Sequence, residues 1–305
     1  MIPVFTEKAT MPFEPAEKGR WAGVIGAGSL VGDGLLPLLV MRGYRVAAFS
    51  RRPAEKPEES GIVWQMPGEP LLGDVKIRDW VCLAPISVLP GYLDWLLECG
   101  AERVVALSST SLFTKADSSD PGERAFAENL ACSERCLAEW SQAHGGSWTV
   151  LRPTLIYGFG RDKNISQIAH LIRRFRFFPL LGEARGLRQP IHLQDIAAAC
   201  LASLERPAAR NRAFNLSGAE ILSYRDMVNR IFITLDKRPR FVRASLQLFR
   251  LAIILMRILP PFREWTPAMA ERMNTDMVFD HTEAMQALDF HPRGFTPKPA
   301  DLPEK

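Results

Sequence analysis

From residue 21 onward, short apolar runs alternate with longer stretches in which apolar residues recur every three or four positions. Trp21–Ile25, Arg45–Phe49, Ile62–Trp64, Trp80–Leu83, Arg103–Leu107 and Trp148–Leu151 have the length and composition of strands. Ser29–Met41, Val88–Glu98 and Glu123–His144 carry helical spacing between them. Val104, Val105, Ala106 and Leu107 follow one another without polar alternation, as in a strand covered on both faces. Strands alternating with helices predict an α/β fold with a parallel, doubly wound sheet. Beyond Arg152 the regularity weakens. Prolines and arginines cluster at 173–190, a strand and helix return at Ile191–Leu204, and a further strand follows at Ala213–Leu216. The remainder reads as mostly helical, and no internal repeat is present.

The first strand runs into Gly26-Ala27-Gly28-Ser29-Leu30-Val31-Gly32, which opens the first helix. Glycines at such a junction permit a tight turn, a close backbone approach to a pyrophosphate, and close packing of helix on strand. The helix N-terminus then offers unpaired amides and a positive dipole end to phosphate. The alternative is a glycine-rich turn without a ligand. The second strand ends in Phe49-Ser50-Arg51-Arg52. A carboxylate at this point would accept from the 2′-hydroxyl of NAD, whereas two guanidinium groups suit the 2′-phosphate of NADP. The alternative is a pair of solvated surface arginines. These features predict a Rossmann-type domain over 19–155, with the segment 189–216 returning to it. A leader precedes it at 1–18, and a smaller, mostly helical C-terminal lobe spans 156–305.

Composition narrows the picture. The 305 residues are 47% hydrophobic and 24% charged, an ordinary globular profile. A net charge of +4 is too small to argue for nucleic acid. Five cysteines, an odd number without framework spacing, favour a reducing compartment and a cytoplasmic protein. Cys132 and Cys136 stand one helical turn apart but lack further ligands, so no metal site is expected. Residues 1–18 lack the apolar core of a secretory signal, and no uncharged run reaches the roughly 18–20 residues of a membrane span.

Several segments, in order, resemble the extended short-chain dehydrogenase/reductases, the NAD(P)-dependent epimerase/dehydratase group. They are Gly26–Gly32, Leu107-Ser108-Ser109-Thr110-Ser111-Leu112-Phe113, Leu151-Arg152-Pro153-Thr154-Leu155-Ile156-Tyr157-Gly158 and Arg188-Gln189-Pro190-Ile191-His192-Leu193-Gln194-Asp195-Ile196. The resemblance covers about 21–222. It implies NADP held by Gly26, Gly28, Ser29, Leu30, Gly32, Arg51 and Arg52, with Ala84 and Pro153 added to that set. It implies Ser109, with Thr110 beside it, near the reacting oxygen. It also implies Arg188 on the pyrophosphate of a sugar nucleotide, or on a lipid-linked sugar. The long helix resembles the group's dimer-forming element and so implies a homodimer. His192 and Asp195 match a structural turn and a helix start rather than catalysts.

The departures from this group bear on function. Ser29 replaces the middle glycine of the loop, and Leu155 replaces an asparagine that helps hold the nucleotide. The group's Tyr-x-x-x-Lys pair, aligned on Glu134, falls on Phe126 and Leu130. The remaining tyrosines, 44, 92, 157 and 224, are followed four residues on by Ala48, Leu96, Arg161 and Val228. Proton transfer would then fall to Ser109, Thr110 or a lobe residue. Alternatively the chain binds cofactor without turnover, as a regulatory, membrane-docking or assembly protein. Atypical members that serve in respiratory-complex assembly make that reading physically reasonable.

Two stretches of the lobe are basic and apolar. Arg173–Phe178 interleaves arginine with phenylalanine, and Arg243–Leu259 places Arg243, Gln247, Arg250 and Arg257 on one helical face. Such a helix can lie in a membrane interface, making the protein peripheral there. The competing expectation is a core or subunit-interface stripe.

Overall fold

A computed structural model describes residues 19–53, 61–71, 75–244 and 272–304. The expected leader therefore lies outside the described residues, as does most of Arg243–Leu259. Seven parallel strands form the main sheet: β1 (Trp21–Ile25), β2 (Arg45–Phe49), β3 (Ile62–Gln65), β4 (Asp79–Cys82), β5 (Arg103–Leu107), β6 (Ser147–Pro153) and β11 (Arg212–Leu216). Their order is β3-β2-β1-β4-β5-β6-β11. The strand order reverses between β1 and β4, which opens a crevice at the carboxyl ends of those two strands.

Helices cover both faces. On one side α1 (Leu30–Met41) and α6 (Leu193–Glu205) pack on the sheet with α8 (Thr282–Leu288), around Leu35, Leu39, Ile196 and Leu288. On the other lie α2 (Leu93–Glu98) and, after the single turn α3 (Ser111–Thr114), the long α4 (Pro121–Ala143), with Trp80, Leu96, Leu130 and Leu137 in that core. Trp80 is fully buried, stacked 5.4 Å from Phe49, and a side chain at Gly23 would overlap its ring. The expected helix at 88–98 begins as a tight 3-10 stretch, Ile86–Tyr92, because Pro90 withholds an amide.

A second core belongs to the lobe. Here α5 (Ile165–Phe175) and α7 (Tyr224–Thr234) enclose Ile168, Ile172, Phe178, Met227, Ile231 and Phe295. Short ladders frame them. β7 (Ile156–Tyr157) pairs with β10 (Ile191–His192), β9 (Leu187–Arg188) with β12 (Leu222–Ser223), and β8 (Phe178–Leu181) with β13 (Phe241–Ala244). Arg243 and Ala244, read as the start of an apolar helix, instead close β13; the rest of that stretch is outside the described residues. No helix among the described residues is long and apolar enough to cross a membrane.

Candidate functional site

The chain leaves β1 through Gly26, whose φ of +74° favours glycine. A Cβ there would stand 2.5 Å from the Ala84 amide nitrogen, so the β1 turn and the segment after β4 meet backbone to backbone. A Cβ at Gly32 would overlap the Ala27 carbonyl. Ser29, which stands at the middle-glycine place of the pattern and was expected to help hold the cofactor, is the N-cap of α1: its Oγ accepts from Gly32 N at 3.2 Å. The amides of Gly26 and Ala27 donate to Phe49 O and that of Ser29 to Gly26 O. Those of Gly28, Leu30 and Val31 have no acceptor among the described residues. Free amides, a dipole end and a surface without side chains fit a pyrophosphate. Arg51 and Arg52 follow β2 and are exposed, with Arg52 N donating to Ser50 Oγ.

The second half of the crevice lies past β5. Thr110 is buried, and both its amide and its hydroxyl donate to Pro153 O, the hydroxyl at 3.2 Å. Its proton is thus committed to closing β5 onto β6. Ser109 differs: its Oγ accepts from Ser111 N at 3.1 Å, which leaves its proton available. Of the two hydroxyls, Ser109 is the one able to donate outward.

On α4, Leu130 is buried in the core beneath the sheet. Phe126 is 46% exposed, and the Lys115 ammonium stands 4.8 Å from its ring centroid. Lys115 also lies 3.6 Å from Glu123, which receives Ser118 Oγ at 2.8 Å and Arg272 Nη1 at 2.5 Å. Burial pushes the Glu123 carboxyl up, but Ser118 and Arg272 outweigh it and hold the group below its ordinary value. The loop carrying these groups is fixed by the N-cap of α4, where Asp120 accepts from Gly122 N and Glu123 N. About three helical turns beyond Glu123, the carboxylate of Glu134 pairs with Arg152 of β6, whose guanidinium lies 5.3 Å from the Phe113 ring centroid. No linear motif marks Lys115, because only folding brings it over a ring eleven residues away.

Arg188 has an occupation its motif does not imply. It is 4% exposed, and its Nη1 donates to Leu187 O at 2.7 Å and Thr275 O at 2.8 Å, with Nη2 on Arg272 O. Burial pulls its pKa below the ordinary arginine value. It fastens the 272–275 segment to β9 through carbonyls rather than facing open solvent. His192 is a satisfied core histidine: Nδ1 accepts from Gln194 N at 3.2 Å and Nε2 faces Asp301 at 3.0 Å. Asp195 lies in the first turn of α6 and pairs with Arg293 at 2.8 Å. Among the described residues no group of three or more potential ligands could hold a metal.

Comparison with known proteins agrees with this geometry. Residues 92–217 match the NAD dependent epimerase/dehydratase family. The epimerase Mth375 of Methanothermobacter thermautotrophicus superposes with a TM-score of 0.68 at 17% identity, covering 94% of this chain and 92% of that one. MoeE5, solved with UDP-glucose and NAD, gives 0.68 at 20% identity over 92% and 96%. A curated relative is the mitochondrial NADH dehydrogenase (ubiquinone) 1 alpha subcomplex subunit 9 of Arabidopsis thaliana, 23% identical over 96 residues. That match spans 31% of this chain and 24% of the relative, so the chain aligns with about a quarter of its length. By matched segment and by fold, the chain resembles nucleoside-diphosphate-sugar epimerases and dehydratases. Residues 92–217 are thus similar to the NAD dependent epimerase/dehydratase family, and the chain as a whole shares the fold of solved epimerases.

Proposed function

We propose that the chain binds NADP(H) and acts on a sugar nucleotide or a lipid-linked sugar, with a proton carrier other than tyrosine. The observation that carries this reading is the cradle at the start of α1, where Gly28, Leu30 and Val31 present free amides. Arg51 and Arg52 at the end of β2 favour a 2′-phosphate over a bare hydroxyl. The neighbours solved with NAD support a nicotinamide dinucleotide and leave this preference to the arginines.

When bound, the cofactor supplies hydride to a carbonyl carbon. Ser109 is suited to orient the carbonyl oxygen through its available hydroxyl proton. Lys115 Nζ is the group the geometry favours for the proton that oxygen must gain. Giving it up leaves a neutral amine beside the Glu123 carboxylate. The ammonium stands 4.8 Å from the ring centroid of Phe126, the residue that aligns with the family's tyrosine.

The test is a nicotinamide-fluorescence titration with NADPH and NADH, with Arg51→Ala/Arg52→Ala alongside. NADPH is expected to bind more tightly than NADH, and the double variant to lose that preference. No binding of either nucleotide would overturn the reading. A second reading, binding without turnover, is favoured by Leu130 filling the lysine position with core and by Arg188 facing main-chain carbonyls. A panel of sugar nucleotides giving no hydride exchange, with NADPH still bound, would select it.

A further inference from the structure

We infer that the corner formed by the end of α5, the start of β8 and the α7–β13 loop docks on the surface of an anionic lipid bilayer. This goes beyond the cofactor reading and does not rest on it. Most arginines with defined contacts have carboxylate partners: Arg20 and Arg103 on Asp79, Arg42 on Glu205, Arg206 on Asp289, Arg230 on Glu220. At this corner the rule fails. Arg174, Arg176, Lys237, Arg238 and Arg240 are exposed and have no ion pair among the described residues. Asp236 is the lone acidic residue in 165–182 and 233–244 together.

The same corner exposes apolar side chains. Phe175 is 42%, Phe177 37%, Ile233 63% and Val242 50% exposed. The geometry brings Phe175, Phe177 and Val242 to one corner. Arg176 adopts a left-handed conformation, φ +59°, which ends α5 and reverses the chain so that Phe175 and Phe177 sit 6.0 Å apart. Phe178 N donates to Arg240 O at 2.9 Å, which places Arg176 and Phe177 beside Arg240. Val242 stands in register with Pro179.

The chemistry selects the occupant. Cations of one sign, without ion pairs among the described residues and interleaved with protruding aromatic and aliphatic groups, match phosphate headgroups over an acyl boundary. A single-stranded nucleic acid would require rings presented as a stacking platform, whereas the two phenylalanine rings are tilted 49° to each other. The chain also leaves β13 into 245–259, whose only charged residues are Arg250 and Arg257.

The test is sedimentation of the full chain with vesicles of phosphatidylcholine alone, or of phosphatidylcholine mixed with phosphatidylglycerol. Binding is expected to the mixed vesicles, to be weak on the neutral ones, and to fall as salt shortens the Debye length from about 10 Å to about 3 Å. Arg174→Ala/Arg176→Ala should lower the partition coefficient on the order of 25-fold, at roughly fivefold per charge. Phe175→Ala/Phe177→Ala should lower it as well, with the thermal transition unchanged in both. If the arginine variant does not fold, Arg238→Ala/Arg240→Ala on the facing loop reads the same surface. Equal binding to both vesicles, binding to neither, or wild-type binding by the variants would overturn the inference. So would salt-sensitive binding to single-stranded DNA without binding to vesicles.

Discussion

Three glycine-to-alanine substitutions separate the demands made on the cofactor turn. Gly61 has φ +84°, but a Cβ there would meet only Val40 side-chain carbons at 3.5 and 3.6 Å, ordinary contact. Gly61→Ala therefore carries backbone strain alone, about 1 kcal/mol. Gly26 has a similar φ, +74°, but its Cβ would stand 2.5 Å from Ala84 N and 3.0 Å from Ala84 Cα and Leu83 C. These are main-chain atoms that cannot swing aside, so overpacking of about 2 kcal/mol adds to the strain, giving about 3 kcal/mol. Gly32 lies within α1, where alanine gains about 1 kcal/mol of helix propensity. There the overlap with the Ala27 carbonyl opposes the gain and turns the peptide that carries the Gly28 amide. Gly32→Ala should lose about 2 kcal/mol and weaken NADPH binding more than a hundredfold, whereas Gly61→Ala should leave binding as it is. Urea unfolding gives the stabilities, as midpoint shifts at constant slope, and nicotinamide fluorescence gives the affinities. If Gly26→Ala proved as stable as Gly61→Ala, the backbone contact between the β1 turn and Ala84 would be refuted. If Gly32→Ala bound NADPH like wild type, the cradle would not be the pyrophosphate site.

Lys115→Met should reduce turnover of any sugar nucleotide found by screening about a hundredfold or more, with NADPH affinity unchanged; retained turnover would remove Lys115 as the proton carrier. Phe126→Tyr places a hydroxyl on the ring that Lys115 faces, and should restore part of the turnover lost in Lys115→Met if that ring stands at the reacting oxygen. His192→Ala breaks the cap on α6 and the Asp301 contact together, for a loss of about 3 kcal/mol in urea unfolding. Burial raises the Asp301 carboxyl, but His192 and Lys298 N outweigh it and hold the group below its ordinary value near 3.8. The unfolded chain then binds the proton first, so this stability is present above about 3.8 and is lost as pH falls through the lower folded value. His192→Ala should flatten that acid limb, and an unchanged slope would show that the pair does not set it.

What could be read from the sequence follows from how local each signal is. β1, the turn and α1 were legible because a buried strand, a glycine turn and an amphipathic helix each leave a pattern within a few residues, and their adjacency is itself the site. Ser29 shows the limit of matching letters: it departs from the glycine pattern, yet it caps α1 and leaves the amides beside it free. The lobe's ladders, such as β9 with β12 and β7 with β10, are two residues long, too short for any alternation to appear. Chemistry that depends on contacts between distant segments was invisible in principle. Arg188 sits in a motif that implies a pyrophosphate, but residues 272–275, more than eighty positions on, supply carbonyls to its guanidinium. Lys115 carries no motif, and it becomes a candidate only once the N-cap at Asp120 folds its loop back over α4. A motif can therefore point to a dinucleotide cradle, because such binding is mostly backbone. It is a weaker guide to a proton carrier, because that role needs only one ionisable group at one point, and any segment reaching that point can provide it.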